Sequence, residues 1–145
     1  KGDREVVLAA VALNGTMLSC ASAELRGDQE VVRAAVAQNA KAILLASEAM
    51  RSDPVIGCEV VGRDGNLLQH LEGGLREDKG VVLVAVKQRG LALRFASERL
   101  RGDLEVVLAA VQQNQNAWSL ASAAFRKVNP RKDVVAESAP LGPKP

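Results

Sequence analysis

Five arginines stand at a constant interval of 25 residues: Arg26, Arg51, Arg76, Arg101 and Arg126. Two residues after each of the first four comes an aspartate (Asp28, Asp53, Asp78 and Asp103), and Asp3 heads that series. A row of guanidiniums could bind phosphates or an acidic partner, because each is a permanently charged fork of donors. The same arginines could instead be structural. At a helix C-terminus a positive charge is favoured, and the aspartate two residues on can open the next helix and accept from the arginine. Because a carboxylate follows four of the five arginines, the structural reading of this Arg and Asp ladder is preferred.

No other residues converge on a reaction. His70 is the only histidine, and one histidine without a second ligand nearby cannot build a zinc site. It shares a repeat column with Cys20, Leu45, Phe95 and Leu120, which reads as a half-buried packing position. Cys20 would stand about 20 Å from it in a regular stack of helices, too far to share a metal. Cys58 replaces a leucine and reads as a small buried hydrophobe rather than a nucleophile. Gly73-Gly74 lacks the Lys and Ser/Thr of a phosphate-binding loop; with Pro54 and Gly57 it reads as a bend or loosened joint. The expectation is therefore no catalytic residue, no metal and no cofactor.

The spacing of these residues is that of the whole chain. The segment 3–11 returns almost unchanged at 103–111, and further copies begin at Asp28, Asp53 and Asp78. The units are 3–27, 28–52, 53–77, 78–102 and 103–127. Internal repetition at this period is the mark of a stacked helical array. Position 1 of each unit, Asp, is an N-cap. Apolar residues at positions 4, 5, 8 and 9 (Val6, Val7, Ala10 and Val11 in the first unit) form a helical stripe. Asn14-Gly15, Asp64-Gly65 and Arg89-Gly90 at positions 12 and 13 break the helix, and the glycine predicts a left-handed residue there. A second helix is expected from apolar positions 15, 16, 19 and 23, with Ala-Ser at positions 19 and 20 as a small-residue contact patch. The fold class is all-α: a short, right-handed-type α-solenoid of five helix-turn-helix repeats, followed by an extended tail.

Bulk properties agree. The chain has 145 residues, 48% of them hydrophobic and only 2% aromatic, so it can bury a core of small aliphatic side chains. Its 19 basic and 17 acidic residues leave a net charge of +2, which calls neither for nucleic acid nor for an anionic membrane. No apolar run approaches the roughly 18 residues of a membrane span. Two cysteines without a framework suit a reducing compartment or buried thiols. The sequence opens at Lys1, within the repeat pattern and with no leader, which suggests a processed protein or a part of a longer one.

In repeat arrays the scaffold columns recur and the binding face varies. Positions 10, 11, 14 and 17 vary most here, which makes Leu13, Leu44, Lys87, Leu91 and Arg94 candidate partner-binding residues, with Trp118 if its indole reaches the surface. Beyond Lys127 the register fails. The tail, 128–145, holds four of the five prolines and is expected to be extended, with Val134, Val135 and Leu141 as anchors on a partner.

The motif Asp-x-Glu-Val-Val-Leu-Ala-Ala-Val-x-Gln-Asn-Gly-x-Ala-Leu-x-x-Ala-Ser-x-x-Leu-Arg, carried best by 78–101 and 103–126, resembles the DUF4116 domain family. The resemblance covers 3–127 and is weakest in unit three. It implies an α-helical repeat without known catalysis, found mainly in protists, algae and some bacterial effectors, and offers no functional residues to carry over. The expected function is a non-catalytic protein-binding scaffold or adaptor, a small peripheral subunit of a larger assembly whose partners are other protein subunits. The family's distribution points to an intracellular, organellar setting such as a plastid membrane complex. Two alternatives stand beside it: the repeat segment of a larger effector or enzyme, and a phosphate or nucleic-acid binder using the Arg ladder.

Overall fold

The computed structural model describes residues 2–138, all-helical and without a strand among them. The α-helices are α1 (Gly2–Leu13), α2 (Gln29–Gln38), α3 (Glu48–Arg51), α4 (Pro54–Arg63), α5 (Lys79–Gln88), α6 (Glu98–Arg101), α7 (Leu104–Gln113), α8 (Ala123–Val128) and α9 (Arg131–Ser138). Every unit opens with one of the long helices α1, α2, α4, α5 and α7. In four of them the position-1 aspartate caps the helix: Asp28 accepts from the Val31 N–H, Asp53 from Val55 and Ile56, Asp78 from Val81 and Asp103 from Val106. Asp3 differs, because α1 begins at Gly2, the residue before it, and places it inside the first turn. The stripe at positions 4, 5, 8 and 9 is fully buried in α2, α5 and α7, as Val31, Val32, Ala35 and Val36 illustrate.

The second half of each unit corrects the expectation of a second helix. Positions 13 to 18 form a six-residue 3₁₀ segment: Gly15–Cys20, Ala40–Leu45, Gly65–His70, Gly90–Phe95 and Gln115–Leu120. The chain then turns extended at position 19; Ala46, for example, has φ −79° and ψ 163°. A short helical turn follows in α3, α6 and α8, capped by Ser47, Ser97 and Ser122 through the N–H groups of Met50, Leu100 and Phe125. The serine is thus a helix start rather than part of a contact patch. A helix cannot run through it, because the position-20 N–H points out of the unit. It donates to the position-24 carbonyl of the unit before: Ser47 to Arg26, Glu72 to Arg51, Ser97 to Arg76 and Ser122 to Arg101, at 2.9–3.0 Å.

The glycine at position 13 is a second correction. The residue before it is extended rather than left-handed, with Asp64 at φ −149° and ψ 101°, and the only positive φ values among the described residues are those of Gly73 and Gly74. Glycine is needed because the next unit comes so close. A Cβ on Gly15 or Gly65 would lie 2.5 Å from the carbonyl oxygen of Ala35 or Ala85. The same approach lets the glycine N–H donate to a glutamine at position 11 of the following unit: Gly15 to Gln38 (2.6 Å), Gly65 to Gln88 (2.7 Å) and Gly90 to Gln113 (2.5 Å). Between units two and three both partners change, to Ala40 and Arg63. There α2 and α4 meet over less of their length than other neighbouring long helices, and an open groove lined by Arg33, Ala37, Glu59 and Arg63 separates them.

Residues 128–138 overturn the expectation of an extended tail. Asn129 donates from Nδ2 to the Phe125 carbonyl (2.9 Å), Pro130 leads into α9, and α9 packs against α7 where a sixth unit would stand. Val134 is 2% exposed and Val135 is half-buried, both against the chain's own last unit. They anchor the chain to itself because α7 otherwise offers an apolar face to water. Leu141 lies outside the described residues.

Candidate partner-binding surface

In a 3₁₀ helix residues three apart eclipse one another. Positions 15 and 16 therefore turn inward in most segments, as with the buried pairs Ala42-Ile43, Leu67-Leu68 and Ala92-Leu93, while positions 14 and 17 share the outer edge. That edge carries Thr16 and Ser19, Lys41 and Leu44, Asn66 and Gln69, Leu91 and Arg94, Asn116 and Ser119. Asn14, Asn39, Asp64 and Asn114 fix the start of their segments by accepting from the backbone N–H two residues on, at 2.9–3.0 Å. The segments pack side by side within units one and two and along units three to five. The outer edge consequently carries paired, variable side chains in two stretches, one over units one and two and one over units three to five.

The sequence candidates divide. Leu44 is 47% exposed on this edge. Arg94 is exposed there with its guanidinium 5.6 Å from the Phe95 ring centroid, and Leu91 is half-buried against the core. Leu13 is 84% exposed at the end of α1, and Lys87 is exposed at the end of α5. Position 11, taken for a variable column, is in Gln38, Gln88 and Gln113 the inter-unit acceptor described above. Trp118 is committed to the chain itself: its indole N–H donates to the Asn129 carbonyl (3.0 Å), and Arg126 lies over its ring.

The Arg column is not a free row of donors. Arg51 pairs with Glu72, Arg126 donates from Nε to the Ala121 carbonyl (3.1 Å), and Arg101 reaches the Leu120 carbonyl. The Nε atoms of Arg26, Arg51 and Arg101 are buried without a hydrogen-bond partner. The expected pairing of each arginine with the aspartate two residues on is not what the chain makes. Asp28 binds Arg4 (2.9 Å), which also reaches Glu30, and Asp103 binds Lys79 (3.1 Å), which also reaches Glu105. The cause is direction: position 2 of one unit faces positions 1 and 3 of the next, whereas position 24 faces positions 18 to 20, those of the next unit for Arg51 and Arg101 and of its own unit for Arg126. The Arg4 guanidinium, with the Val31 N–H, holds the Asp28 carboxyl below the usual carboxylate range. For Asp103 burial acts upward, but the Val106 N–H and Lys79 outweigh it and the net shift is downward.

Cys58 is half-buried, and burial, reinforced by Asp78, pushes its thiol pKa up, the reverse of an activated nucleophile. His70 ends its 3₁₀ segment half-buried. Among the described residues no group of three or more His, Cys, Asp or Glu could hold a metal ion, and no helix is long and apolar enough to cross a membrane.

These features define an all-helical protein of tandem repeats whose variable residues line one edge of its 3₁₀ segments. The sequence profile described as "Domain of unknown function (DUF4116)" matches residues 3–51, 58–101 and 78–126, and the chain belongs to that family. No curated protein and no solved structure matches it.

Proposed function

We propose that the chain is a non-catalytic, protein-binding scaffold: a short α-solenoid of five units that presents its variable 3₁₀ edge to another protein. The observation that carries this is the contrast within each segment. Positions 15 and 16 are small or aliphatic and mostly buried, while positions 14 and 17 range over Thr, Lys, Leu, Asn, Gln, Arg and Ser at the surface. An edge whose backbone is held by capped 3₁₀ segments and whose side chains vary suits recognition, since ordering the backbone costs little further entropy on binding. Apolar Leu44 and Leu91 beside basic Lys41 and Arg94 favour a partner with apolar anchors and acidic residues around them. The role of peripheral subunit rests on this edge rather than on the expected tail anchor Val134, which is buried within the chain.

The test is purification of the endogenous protein under mild conditions, in parallel with a Leu44→Glu, Arg94→Glu variant. A defined complex with the unaltered chain that is lost in the variant, at unchanged Tm, supports the proposal. A complex indifferent to both substitutions, or a lone monomer throughout, contradicts it.

A further inference from the structure

Units two to five each receive the unit before them through the same two features, and units two and five through a third. The stripe is covered: at position 4, Val31, Ile56, Val81 and Val106 are at most 1% exposed. The position-20 N–H is bonded to the preceding position-24 carbonyl. Acidic residues at positions 1 and 3 occur together with a base at position 2 of the unit before.

That last feature is selective. Where position 3 is glutamate, as in Glu30 and Glu105, the preceding unit supplies Arg4 or Lys79. Where position 3 is Val55 or Gly80, the preceding residue is Gln29 or Pro54, and no ion pair forms at these positions among the described residues; units two and three are joined instead by Arg33 and Glu59, further along their helices. The base at position 2 thus occurs where the next unit carries the acidic pair.

Unit one has the receiving half of this interface with nothing on it. Val6, at position 4, is 67% exposed, and Met17, at a position buried in every later unit, is 40% exposed. The Ser22 N–H has no acceptor among the described residues. Asp3 and Glu5 repeat the acidic pair of units two and five but have no cation among the described residues. Asp3, Val6, Val7, Cys20, Ser22 and Leu25 line one open groove on this face.

We infer that this face is a docking surface for a further 25-residue unit of the same repeat class, one with Lys or Arg at its second position. The occupant is not a second copy of this whole chain. The far end of this chain offers Leu104 at position 2 rather than a base, and it is covered by α9. The inference concerns a different surface from the 3₁₀ edge and does not depend on what that edge binds.

The test places a copy of residues 78–102, which carries Lys79, in register ahead of Asp3 in the full chain. The added unit should raise the urea midpoint and slow amide exchange at Ser22 by about tenfold or more. Lys79→Gln in the added unit should remove part of the gain, and Asp3→Asn with Glu5→Gln should remove the same part, so the two changes are not additive. An added unit that leaves the midpoint and Ser22 exchange unchanged overturns the inference, as does a gain indifferent to Lys79. A stable dimer of the unextended chain that buries Val6 and Met17 also overturns it, by assigning the face to a second copy.

Discussion

Replacing Gly65 by alanine should weaken the protein although it adds nothing larger than a methyl group. The backbone at this position needs no left-handed conformation, so the usual conformational cost is absent. The added Cβ would lie 2.5 Å from the Ala85 carbonyl oxygen and 3.1 Å from both Arg89 Cβ and Gln88 Oε1. Ordinary contact begins near 3.4 Å, so α4 and α5 must separate locally by about 0.9 Å. The 2.7 Å bond from the Gly65 N–H to Gln88 would then lie beyond hydrogen-bond length. Losing that bond costs about 0.5–1.5 kcal/mol, and forcing a methyl group into a packed joint costs about 1–3 kcal/mol. Stiffening the unfolded chain returns about 0.4–1 kcal/mol. The expected net loss is about 2 kcal/mol, read as a fall in Tm of roughly 6 °C for a chain of this size. Gly62→Ala, three residues earlier in α4, meets only Val84 Cγ1 at 3.5 Å. It should stabilise by about 0.5–1 kcal/mol through helix propensity. Urea unfolding of the two variants beside the unaltered chain decides the matter. If Gly65→Ala is as stable as Gly62→Ala, the close approach of the units is not what selects glycine.

Gln88→Leu should cost about 1–3 kcal/mol, because it strands the buried Gly65 N–H; Gln112→Leu, at an exposed position, should stay within about 0.5 kcal/mol by the same denaturation assay. Val134→Asp should release α9 at a cost of about 1.5–3 kcal/mol. Fluorescence of the sole tryptophan reads this out, since Trp118 loses its Asn129 partner and should shift to the red, whereas an unshifted spectrum would show that α9 does not hold the indole. Acid should destabilise the protein through Asp28 and Asp103, whose pKa values the fold lowers. Their contribution is complete above the unfolded carboxylate pKa of about 3.9 and is lost as pH falls below it through the lowered values. Urea midpoints between neutral pH and pH 3 should therefore fall less steeply in an Asp28→Asn, Asp103→Asn variant; equal slopes would remove these residues from the acid response.

The long helices and their boundaries are legible in the sequence because Asp at position 1 and the Val-Val pair at positions 4 and 5 are local signals of cap and stripe. The second half of each unit is not, because apolar residues at positions 15, 16, 19 and 23 fit one long helix as well as a 3₁₀ segment followed by a short turn. Ser-Glu at 47–48 and 97–98 is the capping signal that separates them. Gly65 and Gln88 lie in different units, so their bond depends on how units stack and leaves no trace in local propensity. The cap at α9 did leave one: Val134-Val135 repeats Val106-Val107 at a spacing of 28 rather than 25 residues, a three-residue shift that a strict repeat hides. The variable edge was half legible. Variability marked positions 14 and 17, most of which lie at the surface although Leu91 and Asn66 are half-buried, but it could not tell Gln38, Gln88 and Gln113, which bond the preceding unit, from residues free to meet a partner.

The most direct measurement is hydrogen exchange on the native complex recovered from its own source, compared with the free chain. Binding along the variable edge should slow exchange in Ala40–Leu45 and Gly90–Phe95 while leaving the outer turns of α4 and α7 unchanged. Protection confined to the long helices, or none in any 3₁₀ segment, would contradict the assignment of that edge as the binding surface.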